Sequence, residues 1–151
     1  MVSSQGAAPV LSSAERVASR QALAQTVQVL QSAPGVGPIT AEAVAVLLPE
    51  LGQVSGRQAA ALLGVAPYPD DSGQRYGQRR IAGGRADARR AMCMAALKAA
   101  TQTTGILAAF YEHLVARGKP HKVALTACMR KLIVRLNAMP AAHLTWRERP
   151  T

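Results

Sequence analysis

The sequence predicts an all-α fold, and three features carry that prediction. Capping-box spacing occurs twice, at Ser12-Ser13-Ala14-Glu15 and at Ser55-Gly56-Arg57-Gln58, where a serine and a residue three positions on can satisfy each other's backbone amides. Apolar residues recur at helical rather than alternating spacing through most of the chain. Much of the 49% apolar content is alanine, which favours closely spaced helices over a bulky core.

The elements follow in order. Met1 to Leu11 is small and polar, with Gly6 and Pro9, and reads as a flexible lead-in. A helix starts at the first capping box, with Val17, Leu23, Val27 and Leu30 near one face. It stops near Ser32, because Pro34 disfavours helical geometry in the residue before it. Pro34-Gly35-Val36-Gly37-Pro38 is a tight turn, and Pro38 suits the first position of a second helix. That helix runs to Leu48, is closed by Pro49 and Gly52, and has Ile39, Ala43, Val46 and Leu47 as its expected core residues. The second capping box leads a short helix from Gln58 to Leu63, ended by Gly64. From Gly64 to Arg85 the helical period disappears, and an irregular loop or short hairpin is expected, with Arg79-Arg80-Ile81 extended. Helical pattern returns from Ala86 to Thr103, with Met92 and Met94 as core filler, and Gly105 breaks it. Ile106 to Ala116 forms the next helix, with Phe110 and Leu114 spaced for the core. A long helix from Pro120 to about Met139 places Val123, Ala127, Arg130 and Val134 on one side and Leu125, Met129, Leu132, Ile133 and Leu136 on another. Trp146 is placed to pin the tail. The expected organisation is a lead-in (1–11), one helical domain (12–146) and a tail (147–151). Within the domain lie a helix-hairpin-helix (about 23–48), a Gly/Arg-rich loop (about 64–85) and a helical unit (about 86–139).

The 151 residues carry a net charge of +10. The charge is clustered: Arg75, Arg79, Arg80, Arg85, Arg89 and Arg90 fall in one stretch, opposed nearby by Asp70, Asp71 and Asp87. Such clustering points to a polyanionic partner. Aromatic residues are only 3%, which excludes base stacking as the main binding mode. Cys93 and Cys128 stand alone, and His113, His121 and His143 lack ligand spacing, so no metal site is expected in this chain. Unpaired cysteines and the lack of a signal-like segment fit a reducing cytoplasm. No run is long and apolar enough to span a membrane.

Two segments carry chemistry. Gly35, Val36 and Gly37 lie between two helical patterns. Glycine there can bring bare amides close to a phosphate, and the second helix would point its positive end at the same anion. An ordinary helix–helix turn uses the same residue types. The second segment is Pro67-Tyr68-Pro69-Asp70-Asp71-Ser72-Gly73-Gln74-Arg75. A serine hydroxyl needs a base or a stabilising field to act as a nucleophile. Neighbouring arginines suit a phosphate, and Asp70 or Asp71 could take a proton. Asp-Ser-Gly is equally the composition of a surface turn. Lys131 and Arg135 sit one turn apart on the last helix and could share a phosphate. Lys98, Lys119, Lys122 and Arg130 either face nucleic acid or form a solvated face.

Several ordered motifs together carry a resemblance. They are Pro34-Gly35-Val36-Gly37-Pro38, the loop from Gly64-Val65-Ala66-Pro67 to Asp71-Ser72-Gly73, Arg79-Arg80-Ile81 with Gly83-Gly84-Arg85, and Ala109-Phe110-Tyr111. Gly118-Lys119-Pro120, Lys122-Val123-Ala124-Leu125 and Cys128-Met129-Arg130-Lys131-Leu132 extend the set. From about Leu30 to Trp146 the chain resembles the C-terminal domain of the one-hundred-and-ten type of insertion-sequence transposases, the bridge-RNA-guided recombinases. The resemblance implies a serine nucleophile at Ser72, beside Gly73, that attacks a DNA phosphodiester and forms a phosphoserine link. With the basic residues read above, DNA contacts are expected at Gly35, Val36, Gly37, Gly73, Arg75, Arg79, Arg80, Arg85, Lys131 and Arg135. The resemblance also implies a separate RNase H-like domain whose carboxylates bind a divalent metal such as magnesium. That domain is not expected within this sequence, so partners would be DNA, a guide RNA and either further copies or a carboxylate-domain subunit, in the bacterial cytoplasm near the nucleoid. The chain departs from the family pattern at Thr104-Gly105, where many relatives carry Asn-Pro, and at Ala82 and Cys93, which replace bulkier aromatics. The rival expectation is a non-catalytic DNA- or RNA-binding module, a truncated remnant or regulator.

Overall fold

In the computed structural model, residues 10–66, 84–142 and 144–146 are described. They form six helices, α1 (Ser13–Gln31), α2 (Pro38–Leu47), α3 (Gly56–Leu63), α4 (Ala86–Ala100), α5 (Ile106–Ala116) and α6 (His121–Ala142), and no strand occurs among them. The all-α expectation therefore holds.

The local signals act where the sequence puts them. Ser12 Oγ accepts the Glu15 N–H while Glu15 accepts the Ser12 N–H, and Ser55 and Gln58 do the same for α3. Pro38 is at the start of α2, where its missing N–H costs nothing. Gly64 takes a left-handed conformation (φ 80°) after α3. Its N–H donates to the Ala61 carbonyl, and the Val65 N–H donates to the Ala60 carbonyl. That pair of bonds is a Schellman closure. The last helix runs three residues beyond the expected Met139 and contains Pro140. So near the helix end, the proline forfeits one backbone bond and leaves the following residues helical.

α6 packs against α3, α4, α5 and the end of α1, and α4 packs against α2 and α5. The centre is made of Leu30, Leu48, Leu63, Met92, Leu107, Leu132, Ile133, Leu136 and Met139, each fully buried. α4 faces its neighbours with Ala88, Ala95, Ala96 and Ala99. These small side chains let the surrounding backbones come close, as the alanine content led us to expect.

Three assignments of faces require correction. On α2 the buried side is Ala41, Val44 and Ala45, with Leu48 just beyond it. Ile39 (85% exposed) and Val46 (57%) point outward, and Ala43 and Leu47 are only half-buried. A short, almost wholly apolar helix has no polar side to mark its orientation, so periodicity alone could not choose. On α1, Val17 and Leu23 are exposed. Packing begins near Val27 and becomes complete only at Leu30, because no described element covers the earlier turns. Met94 is 64% exposed, whereas Met92 and Met129 are core.

Asn137 is the one buried polar residue among those described. Its Oδ1 accepts the Gly52 N–H (3.0 Å) and its Nδ2 donates to the Val54 carbonyl (2.8 Å). It thereby fastens the α2–α3 connection to α6. At the other end, the Trp146 N–H donates to Ser32 Oγ (2.9 Å), and the Arg135 guanidinium lies 4.1 Å from the Trp146 ring centre. Trp146 is thus held against the start of the α1–α2 turn, and the tail beyond it lies outside the described residues.

Candidate functional site

The α1–α2 turn is pressed onto α4. Gly35 is left-handed (φ 78°), and a Cβ there would stand 2.2 Å from the Ala95 carbonyl oxygen and 3.0 Å from the Ala99 nitrogen. No side chain fits, so helix packing by itself requires glycine at this position. Val36 is buried, and its N–H donates to the Ala33 carbonyl (3.2 Å). Gly37 differs from both. Its backbone is extended, it caps α2 without a side-chain hydrogen bond, and nothing lies within 4 Å of where its Cβ would be. A cleft of about 460 Å³ adjoins it, lined by Gly35 and Gly37 from the turn, Thr40 from α2, and Met94, Leu97, Lys98 and Thr101 among others on the α4 side. The uncapped start of α2 and the exposed ammonium of Lys98 thus border one open space. A positive helix end beside a lysine is suited to an anion.

The second region lies between α3 and α4. Ser72, Gly73, Arg75, Arg79 and Arg80, with Asp70 and Asp71, lie outside the described residues. The residues on either side of that segment meet each other. Gly84 is left-handed (φ 78°), and a Cβ on it would fall 2.3 Å from the Gly64 nitrogen and 2.4 Å from the Gly64 Cα. The next amide, Arg85 N–H, donates to the Leu62 carbonyl (2.9 Å). Two glycines and one backbone bond therefore close the neck of the segment that carries Ser72.

Arg85 secures the same neck. Its Nη1 donates to the Leu47 carbonyl and to Glu50 Oε2, both at 2.7 Å, and its Nη2 donates to Glu50 Oε1 at 2.5 Å. The fork geometry is two-pronged, which is the strong form of a charged hydrogen bond. The guanidinium holds the Glu50 carboxyl well below its usual range, at about 2. The arginine also satisfies a carbonyl at the C-terminal end of α2, where a cation is favoured. In this structure Arg85 thus faces a carboxylate and a helix end.

A protein-family model described as Transposase IS116/IS110/IS902 family matches residues 27–112. That span takes in more than half of the chain, from the last turns of α1 to α5, including the turn, the closed neck and the Ser72 segment. The chain belongs to this transposase family. No curated protein matches it.

Two further basic residues expected to meet DNA, Lys131 and Arg135, sit on α6 of this transposase chain. Lys131 Nζ lies 4.3 Å from the centre of the Phe110 ring, and Arg135 covers Trp146. Both are half-buried. Their charged groups rest on ring faces, an attraction of about 0.5–1 kcal/mol at an exposed site. They remain one turn apart on the same helix. Among the described residues, no group of three or more His, Cys, Asp or Glu side chains could hold a metal ion. No helix among the described residues is long and apolar enough to cross a membrane.

Sequence reasoning missed Glu50, Asn137 and the Gly64–Gly84 contact. Glu50 and Arg85 are far apart in sequence, and so are Asn137 and Val54. No local pattern links either pair. Only the positive-φ demand of glycine gave a hint of the neck, and Gly64 was already marked as a helix stop.

Proposed function

We propose that this transposase chain supplies the serine nucleophile for DNA strand cleavage in insertion-sequence transposition. Ser72 Oγ attacks the scissile phosphorus, the Oγ–P bond forms, and the bond from phosphorus to the leaving sugar oxygen breaks. The serine proton passes to a neighbouring base, for which Asp70 and Asp71 are the nearest carboxylates in sequence. Arg75, Arg79 and Arg80 neutralise the phosphate as charge builds on it. Arg85 acts one step back, by holding the neck of the segment through Glu50. Gly37, at the open start of α2, takes the DNA backbone as in a helix-hairpin-helix, with Gly35 and Val36 shaping the turn. Lys131 and Arg135 add phosphate contacts along α6.

One observation carries the proposal: the serine-bearing segment springs from a neck closed by Gly64 and Gly84 and locked by a two-pronged arginine. Such a neck fixes where the two ends of the segment stand, and a nucleophile acts only from a defined position. The family match over the same residues supports it. A magnesium-binding carboxylate domain, as family relationship implies, would complete the site, and a guide RNA would direct the complex to its DNA within the bacterial cytoplasm.

The test is Ser72→Ala, assayed with a carboxylate-domain subunit and DNA bearing the element's ends. Loss of covalent protein–DNA adducts is expected. Adducts that persist would remove Ser72 from the reaction and leave a DNA-binding module.

A further inference from the structure

A cleft of about 440 Å³ runs between α4 and α6, beginning at Val65, just ahead of the segment that carries Ser72. It is separate from the cleft at the α2 terminus, with which it shares no lining residue. Its two parts differ chemically. The floor is apolar: Val65 and Met129 are buried, and Cys93 and Leu125 are half-buried. The rim is cationic, with Arg89 and Arg90 from α4 and Lys122 from α6. Among the described residues, Asp87 near this rim meets Arg90 at 3.5 Å with both side chains well exposed. An exposed pair of that length contributes little and is readily exchanged for another anion.

The geometry points to a binding site for one unpaired nucleotide of a nucleic-acid strand, with the base on the floor and the flanking phosphates on the rim. An apolar floor alone would accept any greasy group, and a cationic rim alone any anion. The two together, in a cleft of small-ligand size, fit a planar uncharged ring joined to charged phosphates. The thioether of Met129 and the thiol of Cys93 are soft, polarisable partners for a ring face. The described residues that line the cleft include no aromatic, so phosphate neutralisation sets most of the affinity they supply. A base that lies on the floor must be unpaired and outside a duplex stack. The site rests on the nucleic-acid role proposed above, but it makes a separate demand, namely that the α4–α6 cleft is occupied.

The experiment uses the full chain and fluorescein-labelled single-stranded oligonucleotides, DNA and RNA, with the corresponding duplex as competitor. Cys93 is the reporter, because it lines the cleft, whereas Cys128 is fully buried and stays unreactive in the folded protein. Saturating single strand is expected to slow alkylation of Cys93 several-fold, and duplex to do so less. The double variant R90S/K122S is expected to weaken single-strand binding about tenfold and to flatten its salt dependence by roughly 1.4 in log–log slope, two phosphate contacts' worth. The control R20S/R117S removes the same charge from exposed positions outside the cleft and is expected to leave both nearly unchanged. Equal weakening by the two double variants would overturn the site in favour of diffuse attraction. So would Cys93 protection by polyglutamate that matches protection by oligonucleotide. In either case nucleic-acid binding itself would stand. Failure of every oligonucleotide to bind at low salt would overturn the cleft and the wider nucleic-acid role together, whereas persistence of adducts in Ser72→Ala would leave the cleft intact.

Discussion

Replacing Gly84 by alanine tests the neck of the serine-bearing segment directly. Two costs arise. Alanine at φ 78° is left-handed, a strain of roughly 1–2 kcal/mol. The new Cβ would also fall 2.3–2.6 Å from the Gly64 nitrogen, the Gly64 Cα and the Leu63 carbonyl carbon. All three are backbone atoms, so relief requires the chain to move, at a typical overpacking cost of about 1–3 kcal/mol. Gly118 separates the two costs. It has almost the same φ, 81°, but nothing within 4 Å of its would-be Cβ. Gly118→Ala therefore pays for strain alone. At about 3 °C per kcal/mol for a domain of this size, Gly118→Ala should lower the melting temperature by roughly 3–6 °C and Gly84→Ala by roughly 6–15 °C. Thermal unfolding followed by circular dichroism reads both. Equal melting of the two variants would refute the Gly64–Gly84 contact, and with it the account of how the segment is held.

Two further predictions concern the anchors around that neck. Asn137→Ala leaves the Gly52 N–H and the Val54 carbonyl without their partner, at about 1–3 kcal/mol for each group that water does not reach. Urea unfolding should show a loss of about 3 kcal/mol, and a loss under about 0.5 kcal/mol would contradict the role given to Asn137. Asn137→Leu should fare no better, because the two backbone groups cannot be removed with the side chain. The Glu50–Arg85 pair should make stability depend on acid. Glu50 titrates lower in the folded chain, at about 2, than its ordinary value of 4.5. Its contribution is therefore fully present above about pH 4.5 and fades as pH falls toward 2. The melting-temperature gap between the parent and Glu50→Gln should narrow across that window, and a gap that is constant from pH 6 down to pH 3 would contradict it.

Sequence sufficed for whatever depends on near neighbours. Ser12 with Glu15, Ser55 with Gln58, Pro38 and Gly64 set their helix ends through contacts within a few residues. Those signals survive in any fold, which is why all six helix starts and the all-α class were legible to within two residues. Even α6 begins one residue from its expected position. The Arg-rich, serine-bearing segment and its resemblance to insertion-sequence transposases were also legible, because ordered motifs are a property of the chain itself.

Tertiary structure decided which face each helix buries and which charges meet. The apolar α2 could turn any side inward, and contact with α4 selects Ala41, Val44 and Ala45 over Ile39 and Val46. Gly35 offers itself in sequence as a bare amide for phosphate, yet in space the Ala95 carbonyl leaves no room for a Cβ. Arg85 sits in a run of arginines that reads as one phosphate-binding group, but Glu50, brought beside it by the α2–α3 turn, gives it a neighbour of opposite charge. Local hydrogen bonds act over a few residues and can be read along the chain. Close approach and charge pairing act between segments far apart in sequence, and only the packed helices bring those segments together.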